Sequence, residues 1–271
     1  MVYDMQTKDH RKILDGHGPL RWSPDGKLIA FSRVDGMCSQ ILIADDKGEN
    51  QRIITLKEDQ GILGPHPDGG THPVWSPDSK QIAFQRGFGL EWGLLKYDIF
   101  ITSIDTSEGF QEVQITDNPY YNVPWDWCDS SIILSSEYSP DHSFDTYIDC
   151  YEYYLSNHTR RSIINCDSTF IGTFYRYSER ANKFAFIGKT NEYTFNIYLM
   201  NYDGSDVTNI TNNDIVITNL SWSPDGSKIV FIAGSYFHGG YMYVINRDGT
   251  NMHQIAGGQG NYYDSEWRPQ K

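Results

Sequence analysis

Side chains capable of chemistry are scattered along this 271-residue chain and form no local motif. His66, His72, His142 and His238 stand at no recognisable metal-ligand spacing, although with Asp141 or Asp264 they have the right donor types, so no metal is expected. Cys38, Cys128, Cys150 and Cys166 lack the close pairs of a zinc site, and four cysteines in a chain of this length are no disulfide framework. They read as isolated buried or half-buried thiols, and only Cys150 and Cys166 are placed to approach each other across one hairpin. No Gly-x-Ser-x-Gly elbow is present, and Gly257-Gly258-Gln259-Gly260 opens a strand and not the helix of a phosphate loop. No catalytic residue and no cofactor are therefore expected. The stronger signal is a mixture of charge, amide and aromatic groups: His72, Asn122, Arg176, Asn219 and Asp264, with Tyr121, Tyr263, Trp92 and His238. Flat side chains with polar tips suit recognition of a peptide or a sugar, but residues spread from 72 to 264 can act together only if the fold gathers them.

The elements that must gather them are written in a repeat. Trp22-Ser23-Pro24-Asp25-Gly26, Trp75-Ser76-Pro77-Asp78-Ser79 and Trp222-Ser223-Pro224-Asp225-Gly226 are near copies. Each leads, seven residues after its Trp, into Ile29-Ala30-Phe31, Ile82-Ala83-Phe84 or Ile229-Val230-Phe231. Trp125 and Tyr177 anchor degenerate copies, and Trp267-Arg268-Pro269 begins another. Successive anchors are 53, 50, 52, 45 and 45 residues apart. Units of this size cannot bury their own faces and must stack or close into a ring.

Each unit reads as a four-stranded antiparallel meander. In the second, His72 to Trp75 is extended, Ser76 to Lys80 is a turn set by Pro and by side chains that bond local backbone, and Gln81 to Gln85 is the next strand. Tyr97 to Thr102 and Gln111 to Ile115 complete it. Asp-Gly pairs at 203–204 and 248–249, and Gly48, carry the last turn of other units, where Gly supplies positive φ; they lack the further ligands of a calcium loop. The phrase Trp-Ser-Pro-Asp-Gly followed by Ile-Ala-Phe resembles the repeat of TolB-type six-bladed propellers, also seen in propeller domains of prolyl-oligopeptidase-like proteins. That resemblance implies an all-β six-bladed β-propeller of four-stranded antiparallel blades. Residues 1–271 form a single domain on this reading, closed across the N- and C-termini. Val2 to Met5 and Arg11 to Leu14 supply two strands of the closing blade, and Asn261 to Trp267 supplies its first, leaving it one strand short.

Aligned on the anchors, the residue three before each is Pro19, His72, Asn122, Phe174, Asn219 and Asp264, expected near the mouth of the channel on the face of variable loops. The residue one before is Arg21, Val74, Pro124, Arg176, Ser221 and Glu266, expected deeper. Two Arg and two acids near one axis could grip a polar or charged ligand, or could simply pair across blades. The long loops expected on that face are Leu63 to Thr71, Arg86 to Lys96, Asn118 to Tyr121, Glu137 to Asp145 and Gly234 to Gly240.

Thirty-five acidic against 22 basic residues give a formal charge of −13, which disfavours nucleic acid and anionic membranes as partners. Apolar runs reach only strand length, so no membrane insertion is expected. Met1 to Asp4 lacks the basic start and apolar stretch of a signal peptide, which fits a cytoplasmic chain; a removed leader would make it periplasmic or secreted. The expected function is a monomeric, non-catalytic module that binds a protein segment or other extended polar ligand on its variable-loop face, as TolB-type resemblance implies. A carbohydrate-active lyase or hydrolase with a metal or Arg/His site at the channel mouth is the alternative, and a sugar-binding propeller without catalysis is a third.

Overall fold

The structure is a computed structural model that describes residues 2–3, 10–11, 13–14, 19–35, 38–55, 72–89, 95–118, 121–138, 147–164, 172–189, 195–211, 216–235, 239–257 and 265–269. These residues form strands and turns and no helix. An N-terminal hairpin pairs β1 (Val2–Tyr3) with β2 (His10–Arg11). The first unit is β3 (Leu20–Trp22), β4 (Leu28–Asp35), β5 (Cys38–Asp45) and β6 (Arg52–Ile53). The second is β7 (Val74–Trp75), β8 (Gln81–Gly89), β9 (Leu95–Ser103) and β10 (Glu112–Gln114). The third is β11 (Tyr121–Cys128), β12 (Ser131–Tyr138), β13 (Tyr147–Tyr154) and β14 (Thr159–Ile164). The fourth is β15 (Gly172–Ser178), β16 (Lys183–Lys189), β17 (Phe195–Asn201) and β18 (Thr208–Asn209). The fifth is β19 (Ile217–Trp222), β20 (Lys228–Ser235), β21 (Gly239–Asn246) and β22 (His253–Ala256). Each unit is an antiparallel meander as expected, and a parallel bridge, Tyr121 to Tyr97, joins the second and third into one sheet.

The turn after the first strand of the first, second and fifth units shows why the sequence repeats. Ser23, Ser76 and Ser223 donate through Oγ to Asp25, Asp78 and Asp225 at 2.6–2.7 Å. The same oxygens accept the backbone N–H of Leu28, Gln81 and Lys228 at 2.9 Å, starting the second strand. Bonds from Ser223, first among several, pull the Asp225 carboxyl down to about 2. The fifth turn residue has φ of 69° at Gly26 and 67° at Gly226, and Ser79 takes the same left-handed conformation.

Alternation along the strands sends successive side chains to opposite neighbours. In β8, Ile82 and Phe84 pack with Ala30, Ile41 and Ile43 of the first unit, whereas Ala83 packs with Ile132 and Leu134 of the third. Val123, Trp125 and Ile133 likewise meet Tyr175, Phe184 and Phe186, and Ile197 and Leu199 meet Leu220 and Trp222. These cores lie between units, as expected for a repeat that cannot bury its own faces. The anchors Trp22, Trp75, Trp125 and Trp222 are all buried. Two indoles also donate across the junction: Trp75 Nε1 to the Arg21 carbonyl and Trp222 Nε1 to the Arg176 carbonyl, both 3.0 Å. First strands pack in succession, β3 on β7, β7 on β11, β11 on β15 and β15 on β19.

The two ends flank the first unit. A Cβ on Gly48 would lie 1.8 Å from the Ile13 carbonyl oxygen, so the turn at Gly48 seats the segment after β2. Residues 265–269 run between the fifth and first units. Ser265 donates through N–H and Oγ to Asn219 Oδ1 at 3.2 and 3.0 Å, and the Trp267 N–H reaches Ser221 Oγ at 3.3 Å. On the other side Arg268 donates to the Gly26 carbonyl at 3.1 Å and to Asp46 at 2.7 Å, and lies 4.9 Å from the Trp22 ring centre. The strand expected over Asn261 to Trp267 is corrected in part: 265–269 pair with no strand among the described residues and use side-chain bonds instead, while 261–264 lie outside them. The hairpin β1–β2 likewise shares no described sheet with the C-terminal segment.

Several expected loops are shorter because strands run on. β8 continues to Gly89 and β9 begins at Leu95, taking residues assigned to the Arg86 to Lys96 loop. Glu137 and Tyr138 end β12, Gly234 and Ser235 end β20, and Tyr121 opens β11.

Candidate functional site

The expected binding residues that are described sit on or beside the first strands. Asn122, fully buried, is a clamp between the second and third units: its Nδ2 donates to the Tyr97 carbonyl at 2.9 Å and to Asn118 Oδ1 at 2.8 Å. Its Oδ1 accepts from the Tyr151 hydroxyl at 3.3 Å, and its carbonyl accepts from Gln85 Nε2 at 2.7 Å. Asn219 does similar work for the C-terminal segment through Ser265. Tyr121 packs on Tyr97 with ring centres 4.4 Å apart. Trp92, His238, Tyr263 and Asp264 lie outside the described residues.

His72, Phe174 and Arg176 converge on Trp125. The His72 ring stands edge-on to Trp125 at 5.9 Å, and the Phe174 ring approaches it at 4.9 Å. Both flanking residues precede their anchors by three, and both have left-handed backbone, φ 44° at His72 and 56° at Phe174. Bulky residues rarely hold that conformation unless their surroundings impose it. For Phe174 the cause is a bulge: between Thr173 and Arg176 the pairing with β16 takes one extra residue, which re-aims the side chains of β15. Similar register shifts occur in β11 between Pro124 and Asp126 and in β19 between Ile217 and Asn219. The result is an aromatic group drawn from three consecutive units, at the end of the first strands where the inter-unit connections arrive.

Charge accompanies it. Arg176, buried, donates through Nη1 to the carbonyls of Trp125 and, at 3.0 Å, Tyr175. Arg21 holds an equivalent position in β3, donating to the Leu20 carbonyl at 2.8 Å and lying 3.7 Å from Glu266. Of the two Arg and two acids of those rings, Arg21 and Glu266 thus stand within ion-pair distance between neighbouring segments. A second acid, Asp126, stands outside the expected ring. It accepts the Tyr177 N–H at 2.7 Å and the Trp127 N–H at 2.9 Å, linking the third and fourth units. Part of the residue is exposed, but its carboxyl lies inside. Burial pushes it up to about 6, against the opposing pull of those amides and of the Arg21 charge. A signal for it exists in the sequence, because it stands where the regular repeats have the Ser after the anchor Trp.

Away from this end, Glu152 is fully buried among Ser131, Tyr154, Arg161 and Tyr202, tying the third unit to the fourth. Burial and the adjacent Asp126 and Glu152 charges raise the Cys128 thiol well above its ordinary range, which disfavours the thiolate. Cys150 packs in the core beside Trp125, and Cys166 lies outside the described residues. Among the described residues no three His, Cys, Asp or Glu side chains converge as a metal site.

No family model matches the chain. Solved structures do. TolB from Acinetobacter baumannii superposes with a TM-score of 0.74 at 18% identity, over 99% of this chain and 62% of that one. This chain thus spans about three fifths of that protein's length. A putative TolB from Agrobacterium tumefaciens gives 0.68 at 20% identity, over 93% of this chain and 86% of that one. Oligogalacturonate lyase from Vibrio parahaemolyticus gives 0.58 at 13% identity, over 93% and 69%. At such identities the likeness concerns the fold, which is that of a TolB-type β-propeller.

Proposed function

We propose that this chain is a monomeric, single-domain propeller of six blades, the sixth built from the N-terminal hairpin and the C-terminal segment. Its work is to bind a protein segment or other extended polar ligand, without catalysis, on the face where connections between blades arrive. The packing of five first strands in succession and the contacts of 265–269 with both the fifth and first units support closure. The binding reading rests on one observation above the others: His72 and Phe174, both in left-handed backbone, meet on Trp125 at the loop end of three consecutive blades. Strain of this kind clusters at ligand clamps and switch regions, and Phe174 is the partly exposed member of the group, His72 and Trp125 lying buried behind it. At the opposite ends of the strands the first, second and fifth units carry the same Ser–Asp turn, which is scaffold.

Panning a displayed peptide library on the purified protein tests this. Enriched peptides should lose binding about tenfold or more with Phe174→Ala, an aromatic anchor, and keep it with Asp248→Ala on the turn face. Peptides that bind the Phe174 variant as well as the parent, or a library that yields none, would contradict it. The alternative, a lyase or hydrolase with an Arg/His site, draws on His72 and Arg176 flanking Trp125 and on the likeness to a lyase propeller. A stoichiometric transition metal that disappears with His72→Ala would favour that alternative.

A further inference from the structure

The Arg176 guanidinium is more than nine-tenths buried, and its Nη1 is fixed by the carbonyls of Trp125 and Tyr175. Its Nε and Nη2 are also sealed from solvent, yet neither has a hydrogen-bond acceptor among the described residues. An arginine cannot shed its proton, so this is a permanent charge with two unused donors in a place where water does not compensate it. Such a charge is costly to hold unless an anion completes it. Arg21, its counterpart in the first unit, has Glu266 3.7 Å away. Asp126, the acid on the adjacent strand, directs one oxygen to the Tyr177 N–H and the other to the Trp127 N–H.

Which edge remains matters. Nε–H and Nη2–H are parallel and spaced like the two oxygens of a carboxylate, whereas the donor locked against backbone lies on the other branch. Resting on the binding reading above, we infer that Arg176 is a carboxylate seat: the ligand brings an acidic group that accepts two parallel hydrogen bonds from Nε and Nη2. Phe174, two residues earlier in the same bulged strand and held at φ 56°, is the neighbour with strain to release when the fork is uncovered. The seat gives the aromatic group on Trp125 a charged companion, and together they select a chain with an acidic residue or terminus.

Formate is the smallest probe. In protein labelled with 15N-arginine, sodium formate should shift one Nε–H resonance saturably, where sodium chloride at equal ionic strength does not. Formate should also raise the unfolding midpoint. Arg176→Met should abolish both effects, and Arg176→Lys, which keeps the charge without the fork, should weaken formate about tenfold or more. Acetyl-trialanine with a free carboxylate, compared with its amide and with acetate, distinguishes a peptide terminus from a free small carboxylate. An arginine spectrum that treats formate and chloride alike overturns the seat, and so does an Arg176→Met protein that responds as the parent does. The resonance is read on the parent protein, so the seat is tested even where a variant fails to fold. A negative result would leave peptide capture to the panning experiment, whose variant lies at Phe174.

Discussion

Glu152 offers the sharpest test of how neighbouring blades are held together. Its carboxylate is fully buried and accepts hydrogen bonds from Ser131 Oγ at 2.5 Å, the Tyr202 hydroxyl, the Tyr154 hydroxyl at 2.8 Å, and Arg161 Nε and Nη2 at 3.1 and 2.8 Å. Glu152→Ala removes the acceptor for all of them. Uncompensated buried partners of an ion pair typically cost about 3–5 kcal/mol, but the Arg161 side chain is 37% exposed and regains water, so about 3 kcal/mol is expected. Glu152→Gln keeps the shape and one accepting oxygen but turns an amide N–H₂ toward a donor, and should cost about 1–2 kcal/mol. Arg161→Ala leaves the buried carboxylate without its counter-charge but with its three hydroxyl donors, and should cost about 2 kcal/mol. Equilibrium denaturation in urea, with matched fluorescence and circular dichroism transitions, reads these differences. There is a pH signature too. Burial would raise the Glu152 carboxyl, but the bonds from Ser131, Tyr202, Tyr154 and Arg161 outweigh it and hold the group below its ordinary value of 4.5. A depressed carboxylate stabilises the fold above its unfolded pKa and stops doing so as pH falls through the folded one. The gap between parent and Glu152→Gln should therefore shrink below pH 4.5. A Glu152→Ala protein as stable as the parent, or a gap that ignores pH, would refute the clamp.

Trp75→Ala should lose about 3–5 kcal/mol by emptying the core between the first two blades, whereas Trp75→Phe should lose about 1–2 kcal/mol, mainly the bond to the Arg21 carbonyl. Denaturant midpoints check both, and equal midpoints would show the indole is not packed there. Asp126 is raised to about 6 from 3.8, so its contribution is complete below the lower value and lost as pH climbs through the upper. The parent should lose about 2–3 kcal/mol over that window and Asp126→Asn should not, as thermal melts at a series of pH values would reveal. Gly48→Ala must strain a φ of 82° and drive a Cβ into the Ile13 carbonyl, so its melting point should fall well below that of Gly109→Ala, where the same change meets open space. Equal melting points would mean that the N-terminal segment does not dock on the first blade.

Much of this architecture was legible because the repeat states its own turn chemistry: Trp-Ser-Pro-Asp-Gly supplies the Ser–Asp bond, the left-handed residue and the packing anchor in five letters. Strand ends were less legible. β8 extends beyond its apolar run through Gly87, Phe88 and Gly89, opposite Tyr97, Lys96 and Leu95 of β9, because pairing between neighbouring strands, and not side-chain pattern, carries it on. The candidate site was legible only as positions. Asn122 and Asn219 occupy the expected ring, but buried amides on first strands find backbone and hydroxyl partners within the chain, and these two are clamps. What sequence could not disclose was the bulge in β15. One extra residue against β16 brings Phe174 onto Trp125 and leaves Arg176 with its fork unused among the described residues.

On the proposed function, ligand binds at the loop end of the first strands. Amide hydrogen exchange of the protein alone and saturated with a panned peptide measures this directly. Protection is predicted in 72–75, 121–125 and 172–176, with the Ser–Asp turns at 23–28, 76–81 and 223–228 unchanged. Protection confined to those turns or to the outermost strands β6, β10, β14, β18 and β22 would contradict it.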